Sequence, residues 1–546
     1  MQKITLFLLL VFSHTIFSQT KITETEKLAA TCKVWGFLKY YHPKVANGDF
    51  NWDNQLLEVL PKIEEAKTKK EFSLVLENWI VSLGEVKDIA PIIDPKGVAY
   101  FDENFDLSWI DSNKLFSKKL STSLRFIENN RFQTDEEIGP GYNPFKNGNY
   151  FDLKYDNKNL RILWMCMYWN LVEYFFPDKY LMDKKWDKTL DEILPLVLEA
   201  KNEDDFYAAM MRMSTRLNDS HVEFVTYVSN KSMKYYFPAD CKIIDEKMVV
   251  TEILGDSLAE ASNIKIGDVI VKINDKTIAT LILENRDLVC ASNEASYLNK
   301  IVSSILMSDS DNVKVEFLKD GKSEIKAMMW FDYHDSHRNE FKKGAMKKKE
   351  KFKLLDNNIG YVNMGVIKVR HIPDMIEALK STKAIVFDMR NYPNGTYGEI
   401  ANFLNAHEEN FAIYTYPYLN YPGRFIWTEG TNCGSENKDN YKGKVIVLLN
   451  EDSMSQSEWT AMCFQTAGNT TIIGSQTAGA DGNVTELDFK GFHTRYSGIG
   501  VYYPDKRQTQ RIGIVPDIEI KPTILGIQQG KDEVLDRAVK FIETGI

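Results

Sequence analysis

Cysteine is scarce in this chain, with six residues in 546 and no Cys-x-x-Cys pair. The six positions are 32, 166, 241, 290, 433 and 463. So low a density excludes a small disulfide-built scaffold, and the spacing does not match a zinc-ligand set. We expect most of these thiols to be free and buried, and one or two disulfides stay open for an exported protein.

An excess of positive charge is also absent, since 67 Lys and Arg stand against 77 Asp and Glu, a net charge of −10. A general nucleic-acid binder normally carries a basic surface, so we do not expect nucleic-acid binding. The composition, 44% hydrophobic and 26% charged, is typical of a globular protein. The length predicts about three or four structural units.

No apolar run is long enough for a membrane-spanning helix, which needs about 20 residues. The run from Ile4 to Phe12 follows Lys3 and precedes small and polar residues through Gln19. This layout is typical of a secretory signal peptide, with an ordinary buried strand or helix as the alternative. We therefore expect residues 1–18 to be a signal peptide and the protein to be exported, to a periplasm or to the medium.

An internal duplication occupies the front of the chain, where residues 32–83 align with residues 166–217 without a gap. The apolar spacing in both copies is helical, and a proline ends the first helix of each. We expect helical modules at residues 20–150 and 151–225. Residues shared by the two copies include Cys32, Trp35, Pro43 and Trp52, which recur as Cys166, Trp169, Pro177 and Trp186.

The two copies differ where they end. The first ends with Leu83-Gly84-Glu85, whereas the second ends with Asp219-Ser220-His221. We infer that the first copy is structural and that the second contributes to a functional site.

Short β-like runs separated by turn residues follow over residues 226–335. Residues 264–278, "IKIGDVIVKINDKTI", resemble a PDZ domain, with turns at Gly267-Asp268 and Asn274-Asp275. PDZ domains capture an extended chain end by strand addition. The expected carboxylate loop, residues 234–242, lacks glycine. Capture of a chain end and a role in packing or gating therefore both stay open.

Residues 350–546 alternate strand-like and helix-like segments, which predicts an α/β unit. Ser455 stands where a strand at residues 444–449 gives way to a helix. A serine at such a turn is exposed, and the first N–H groups of the helix could hold an oxyanion. The alternative is a capping box formed by Ser455 and Glu458.

Four motifs occur in a fixed order in this unit, at residues 359–365, 385–395, 447–465 and 511–520. Their order and spacing resemble those of the C-terminal processing (tail-specific) and tricorn-core serine peptidases, over roughly residues 160–546. The resemblance implies a crotonase/Clp-protease-like ββα catalytic core with an inserted PDZ-like domain. It also implies that Ser455 is the nucleophile and that the backbone N–H groups of Gly395 and Gln456 form the oxyanion hole. The implied reaction is endoproteolysis of unfolded or extended polypeptides through an acyl-enzyme, with no metal or organic cofactor.

The catalytic base differs between the two branches of this family. The tail-specific branch uses a lysine after the helix, but residues 474–482 contain none. The tricorn-core branch uses a histidine preceded by serine far upstream, and Ser220-His221 matches that pattern. We therefore expect His221 to activate Ser455.

The third member of the triad is less defined. The tricorn-core pattern has a glutamate where this chain has Gln508-Thr509-Gln510. Gln510, through Ser220, could orient the imidazole, but an amide carries no charge. Asp481 or Asp219 could supply the charge, and the sequence leaves both open. Two rival hypotheses follow: a peptide-binding scaffold that has lost its activity, or a hydrolase of another ester or amide on the same fold.

Overall fold

The computed structural model describes six segments of the chain: residues 22–135, 155–226, 234–254, 256–332, 350–489 and 492–546. The predicted signal peptide, residues 1–18, lies outside them. No helix in these segments has the length and apolar content that a bilayer crossing requires.

The predicted helical repeat is confirmed. In each copy a long helix ends just before the repeated proline, at Tyr41 and at Phe175. Each copy also contains the same reciprocal tryptophan pair, in which each indole N–H donates to the other residue's carbonyl. The helices of the front region are Glu24–Tyr41, Pro43–Ala46, Trp52–Glu65, Lys69–Ser82, Trp109–Ser112, Lys118–Asn129, Lys158–Phe175, Asp187–Glu199 and Glu203–Thr215. The tryptophan pairs are Trp35 with Trp52, at 3.2 and 3.0 Å, and Trp169 with Trp186, at 3.3 and 3.0 Å.

The two repeats share one hydrophobic core, so residues 20–150 and 151–225 are not independent modules. Their long helices cross at Gly36 and Asn170, which are equivalent positions in the repeat. The Asn170 amide donates to the carbonyls of Cys32 (3.0 Å) and Cys166 (2.9 Å). A Cβ on Gly36 would lie 1.8 Å from Asn170 Oδ1, so the crossing requires glycine there.

The PDZ-like unit contains a β-sheet and the helices Asp256–Ala261, Ile278–Glu284 and Glu294–Ile305. The predicted turn at Asn274-Asp275 is present, and both residues have positive φ (48° and 66°), as in the hairpin turns favoured by Asn and Asp. Ala239–Ile244 lies at the edge of this sheet and faces the helix Glu294–Ile305 across a cleft of about 540 Å³. The sheet order is Lys322–Met329, Asn312–Lys319, Val269–Ile273, Lys247–Ile253, Ala239–Ile244, with Lys276–Thr277 paired to Val269–Ile273.

The C-terminal unit is built on a six-stranded sheet. Its strands pair in parallel except for the first, as the alternating strand and helix pattern predicts. The central strand Ala384–Asp388 is buried along its whole length, because helices cover both faces of the sheet. The strands in order are Phe352–Leu355, Ile359–Asn363, Ala384–Asp388, Lys444–Leu449, Thr470–Gly474 and Ile518–Glu519. The helices are Ile372–Leu379, Tyr397–Leu404, Gln456–Gln465, Ile524–Gln528 and Glu533–Thr544.

Two smaller sheets connect the front of the chain to this unit. Tyr100–Phe101 pairs with Phe425–Cys433, which pairs in turn with Glu409–Pro417 and, through it, with Gly500–Tyr502. Glu223–Thr226 pairs with Phe492–Ser497, which also pairs with Val484–Phe489. The predicted boundary between residues 225 and 226 therefore falls inside a strand that joins the second repeat to the C-terminal unit.

Candidate active site

Ser455 occupies a strained turn between the strand Lys444–Leu449 and the helix Gln456–Gln465. Its backbone has φ 55° and ψ −117°, which few residues other than glycine adopt. Such strain costs about 1–3 kcal/mol and persists where the surroundings enforce it. A sharp turn of this kind exposes a serine hydroxyl at the end of the sheet, as a nucleophile requires.

Glu458 enforces this turn. Its carboxylate accepts hydrogen bonds from the N–H groups of Ser455 (3.1 Å), Gly479 (2.8 Å) and Ala480 (3.0 Å), and from the hydroxyl of Thr477. The first of these bonds belongs to the capping box considered above. The other three tie the helix to the loop 477–480, which the sequence did not predict.

Ser453 and Ser457, the serines on either side of Ser455, also hold the turn in place. The Ser453 hydroxyl donates to the carbonyl of Met389 (2.8 Å), and the Ser457 hydroxyl to that of Asn391 (3.0 Å). Both bonds anchor the turn to the segment that leads to Gly395.

Gly395 lies beside the start of the helix. A Cβ on Gly395, where φ is +66°, would be 3.2 Å from Gln456 Nε2. Within the described segments, neither the Gly395 nor the Gln456 backbone N–H donates a hydrogen bond. Two neighbouring free N–H groups beside a serine can stabilise an oxyanion. Their role as the oxyanion hole stays a prediction.

His221 is buried in the turn before the strand Glu223–Thr226 and is 5% exposed. Its Nδ1 lies 3.0 Å from the hydroxyl of Ser497, whereas its Nε2 has no hydrogen-bond partner among the described residues. Burial lowers the pKa of the imidazole, although the Asp219 carboxylate opposes that shift. A neutral ring with a free Nε2 can act as a general base.

Ser220 connects the turn that carries His221 to the loop that contacts Ser455. Its hydroxyl donates to the carbonyl of Ala478 (2.9 Å), and the carbonyl of Ala480 accepts the Ser455 N–H (2.9 Å). The residue before His221 and the backbone of Ser455 thus contact the same short segment, 478–480. The end of the second repeat therefore packs against the nucleophile turn, the arrangement on which the proposed pairing of base and nucleophile depends.

Gln510 differs from its predicted role. Its amide donates to Asp219 Oδ1 (3.1 Å) and does not act through Ser220, whose hydroxyl already bonds to Ala478 and Ser296. The predicted relay from Gln510 through Ser220 is therefore wrong, because the two side chains point to different partners.

The structure separates the two carboxylates that the sequence left open. Asp219 accepts hydrogen bonds from the main-chain N–H of His221 (2.9 Å) and from the Ser497 hydroxyl (3.1 Å), so it lies close to the imidazole. Asp481 is 5% exposed, and neither of its oxygens has a hydrogen-bond partner among the described residues. Burial, reinforced by the nearby Glu458, raises the pKa of Asp481 well above its usual range.

Sequence reasoning missed Ser497. It follows no motif, and only the pairing of the strands Glu223–Thr226 and Phe492–Ser497 brings it to His221. The PDZ-like unit also reaches this region, since Lys242 forms ion pairs with Glu451 and Asp452 in the nucleophile turn.

The strained strand-to-helix turn at Ser455 and the packing of Ser220 against the same loop, 478–480, fit a serine-peptidase type of α/β unit. Residues 358–520 match the family model of peptidase family S41, and residues 228–291 match that of the PDZ domain. We therefore place the segment 358–520 in peptidase family S41. The predicted resemblance to the C-terminal processing peptidases is confirmed, as is the serine-peptidase class at the level of the family.

Similar proteins agree with this assignment. A probable CtpA-like serine protease of Staphylococcus haemolyticus (strain JCSC1435) is 24% identical over 327 residues, which are 57% of this chain and 59% of that protein. Its counterpart in Staphylococcus aureus (strain N315) is 25% identical over 62% of this chain and 66% of that protein. The chain thus spans less than two thirds of the length of these curated relatives.

The fold is shared with a solved structure, that of mature CPAF complexed with lactacystin. The match has a TM-score of 0.56 at 11% identity, and covers 70% of this chain and 98% of that chain.

Proposed function

We propose that the protein is an exported serine endopeptidase that cleaves unfolded or extended polypeptides. The observation that carries the proposal is the contact of Ser220 and Ser455 with the same segment, 478–480, through Ala478 and Ala480. That contact supports the proposed approach of the turn that carries His221 to the turn that carries Ser455. The family match of residues 358–520 supports the same assignment.

In the proposed reaction, the Ser455 hydroxyl gives its proton to His221 Nε2 and its oxygen attacks the scissile carbonyl. The Gly395 and Gln456 N–H groups bind the oxyanion that develops. The imidazolium then protonates the leaving amine, which leaves an acyl-enzyme on Ser455. Water activated by the same imidazole hydrolyses this ester and restores the hydroxyl.

The PDZ-like unit supports a polypeptide substrate. Its edge strand Ala239–Ile244 pairs on one side only within the described segments, and it borders the open cleft of about 540 Å³. An extended chain can add to such an edge through backbone hydrogen bonds. The signal-peptide pattern of residues 1–18 supports export, and N-terminal sequencing of the mature protein tests it.

A fluorophosphonate probe and casein hydrolysis test the proposal together. The wild-type protein is expected to be labelled and to cleave casein, Ser455→Ala to lose both, and His221→Ala to lose casein cleavage. Ser381→Ala and His407→Ala, which alter exposed side chains away from the site, serve as matched controls and retain both. Turnover of small esters without casein cleavage would instead support another hydrolase, and the absence of labelling would support a scaffold without activity.

A further inference from the structure

We propose that Asp219, acting through Ser497, is the positioning group that orients His221 and balances its charge. The inference rests on the proposed function, because it concerns the base of that reaction. Asp219, two positions before His221, would be the carboxylate of the triad, and Ser497 on the strand Phe492–Ser497 would connect it to the imidazole.

The hydrogen-bond directions in this chain of groups are fixed by chemistry. The Ser497 hydroxyl has one proton, which it donates to Asp219 Oδ1 at 3.1 Å, because a carboxylate can only accept. The Ser497 hydroxyl oxygen must then accept a hydrogen bond from His221 Nδ1, which is 3.0 Å away. Nδ1 therefore carries the ring proton, and Nε2 holds the lone pair that a general base needs.

Asp219 is held rigidly enough to orient this link. It is fully buried and accepts hydrogen bonds from four donors. These are the main-chain N–H of His221 (2.9 Å), the main-chain N–H of Ser497 (2.7 Å), the Ser497 hydroxyl (3.1 Å) and the Gln510 side-chain amide (3.1 Å). All four are donors, as an ionised carboxylate requires. When Nε2 receives the proton of Ser455, the imidazolium is therefore stabilised by the negative charge of Asp219, from which it is separated only by the Ser497 hydroxyl. Asp219 stays ionised and Ser497 keeps its own proton throughout, and the transferred proton leaves with the amine.

Gln510 fits the same assignment. Its amide donates to Asp219, so a glutamine at this position satisfies the carboxylate. A glutamate there would place a second carboxylate against Asp219 and repel it. The carboxylate that balances the charge of the histidine is thus that of Asp219, and Gln510 is its neutral hydrogen-bond partner.

Ser497→Ala is the sharpest test because it removes one hydroxyl and leaves the Ser497 N–H bond to Asp219 in place. We expect kcat/KM to fall by about 10²-fold or more, mainly through kcat. Ser497→Thr, which retains a hydroxyl, is expected to recover most of the activity. Gln510→Glu is expected to reduce it. Thr494→Val removes another buried hydroxyl from the same strand, one that donates to the Glu223 carbonyl (2.8 Å), and is the matched control with unchanged kcat/KM.

A pH profile separates positioning from a merely structural role. The charged groups that face His221 are Asp219, Lys300, Arg495 and Glu223. Without the hydroxyl, the imidazolium loses its link to Asp219, so the acid limb of kcat/KM is expected to move to lower pH in Ser497→Ala. A structural role would lower kcat and leave the limb in place.

Failure of this inference and failure of the proposed function give different results. Wild-type casein cleavage with unchanged kcat/KM and pH profile in Ser497→Ala would overturn the inference alone. If the wild-type protein cleaves nothing, the proposed function fails, and the ring tautomer still tests the inference. Nitrogen-15 NMR of labelled histidine is then expected to show His221 protonated at Nδ1, and the opposite tautomer would overturn the assignment.

Discussion

The Ser220 hydroxyl donates a 2.9 Å hydrogen bond to the main-chain carbonyl of Ala478. This bond joins the end of a helical repeat to the loop that also receives the Ser455 N–H. The histidine and the serine of the proposed site come from parts of the chain that fold into different units. The site is therefore assembled only when the repeats, the PDZ-like unit and the α/β unit pack together.

Glu458 is expected to control the geometry of the nucleophile turn. Glu458→Gln replaces an oxygen that only accepts with an amide that donates, so the Gly479 or Ala480 N–H loses its partner. A buried donor left without a partner costs about 1–3 kcal/mol. We expect the free energy of unfolding to fall by that amount, and kcat/KM to fall about 10²-fold because the serine is misplaced.

Urea denaturation and casein hydrolysis measure the two effects of Glu458→Gln. Glu399→Gln, at an exposed position in the neighbouring helix Tyr397–Leu404, is the matched control and is expected to change neither. Wild-type stability and activity in Glu458→Gln would show that the carboxylate does not hold the turn.

Asp481 is expected to make the stability of the fold fall with rising pH. Burial raises its pKa in the folded state, whereas an unfolded chain has an aspartate pKa of about 3.9. The folded state therefore binds more protons than the unfolded state above about pH 4, so its stability decreases as the pH rises from there through the raised pKa. Asp481→Asn cannot ionise and removes this contribution.

The comparison of Asp481→Asn with the wild-type protein isolates this group. We expect Asp481→Asn to gain stability relative to the wild-type protein between pH 5 and pH 8, as measured by urea denaturation at both values. A difference between the two proteins that does not change with pH would contradict a raised pKa.

Much of the fold could be predicted because its signals are local. The prolines that end the repeat helices, the Asn274-Asp275 turn and the strand predicted at residues 444–449 each lie within a few residues of the structure that they specify. Ser455 and His221 were proposed from motifs of similar length. The link through Ser497 to Asp219 could not be found in this way, because it depends on strand pairing between residues 276 positions apart. The partner of Gln510 was mispredicted for the same reason.

The crossing of the two repeat helices gives a test of the fold that is independent of catalysis. At Gly36 a Cβ would lie 1.8 Å from Asn170 Oδ1, and the Asn170 amide cannot move without losing its bonds to the Cys32 and Cys166 carbonyls. Overpacking of this kind costs about 1–3 kcal/mol, and a lost buried hydrogen bond adds to it. We expect Gly36→Ala to lower the free energy of unfolding by about 2–4 kcal/mol, as measured by urea denaturation.

Gly398→Ala is the matched control for Gly36→Ala, since Gly398 is also helical but has no neighbouring atom within 4 Å of the added Cβ. It is expected to leave stability unchanged or to raise it by up to about 1 kcal/mol, because alanine favours a helix over glycine. If the clash with Asn170 is the cause, Gly36→Ala should cost less in an Asn170→Ala background than in the wild-type protein. Equal costs in both backgrounds would mean that Gly36 is required for a reason other than the close approach of Asn170.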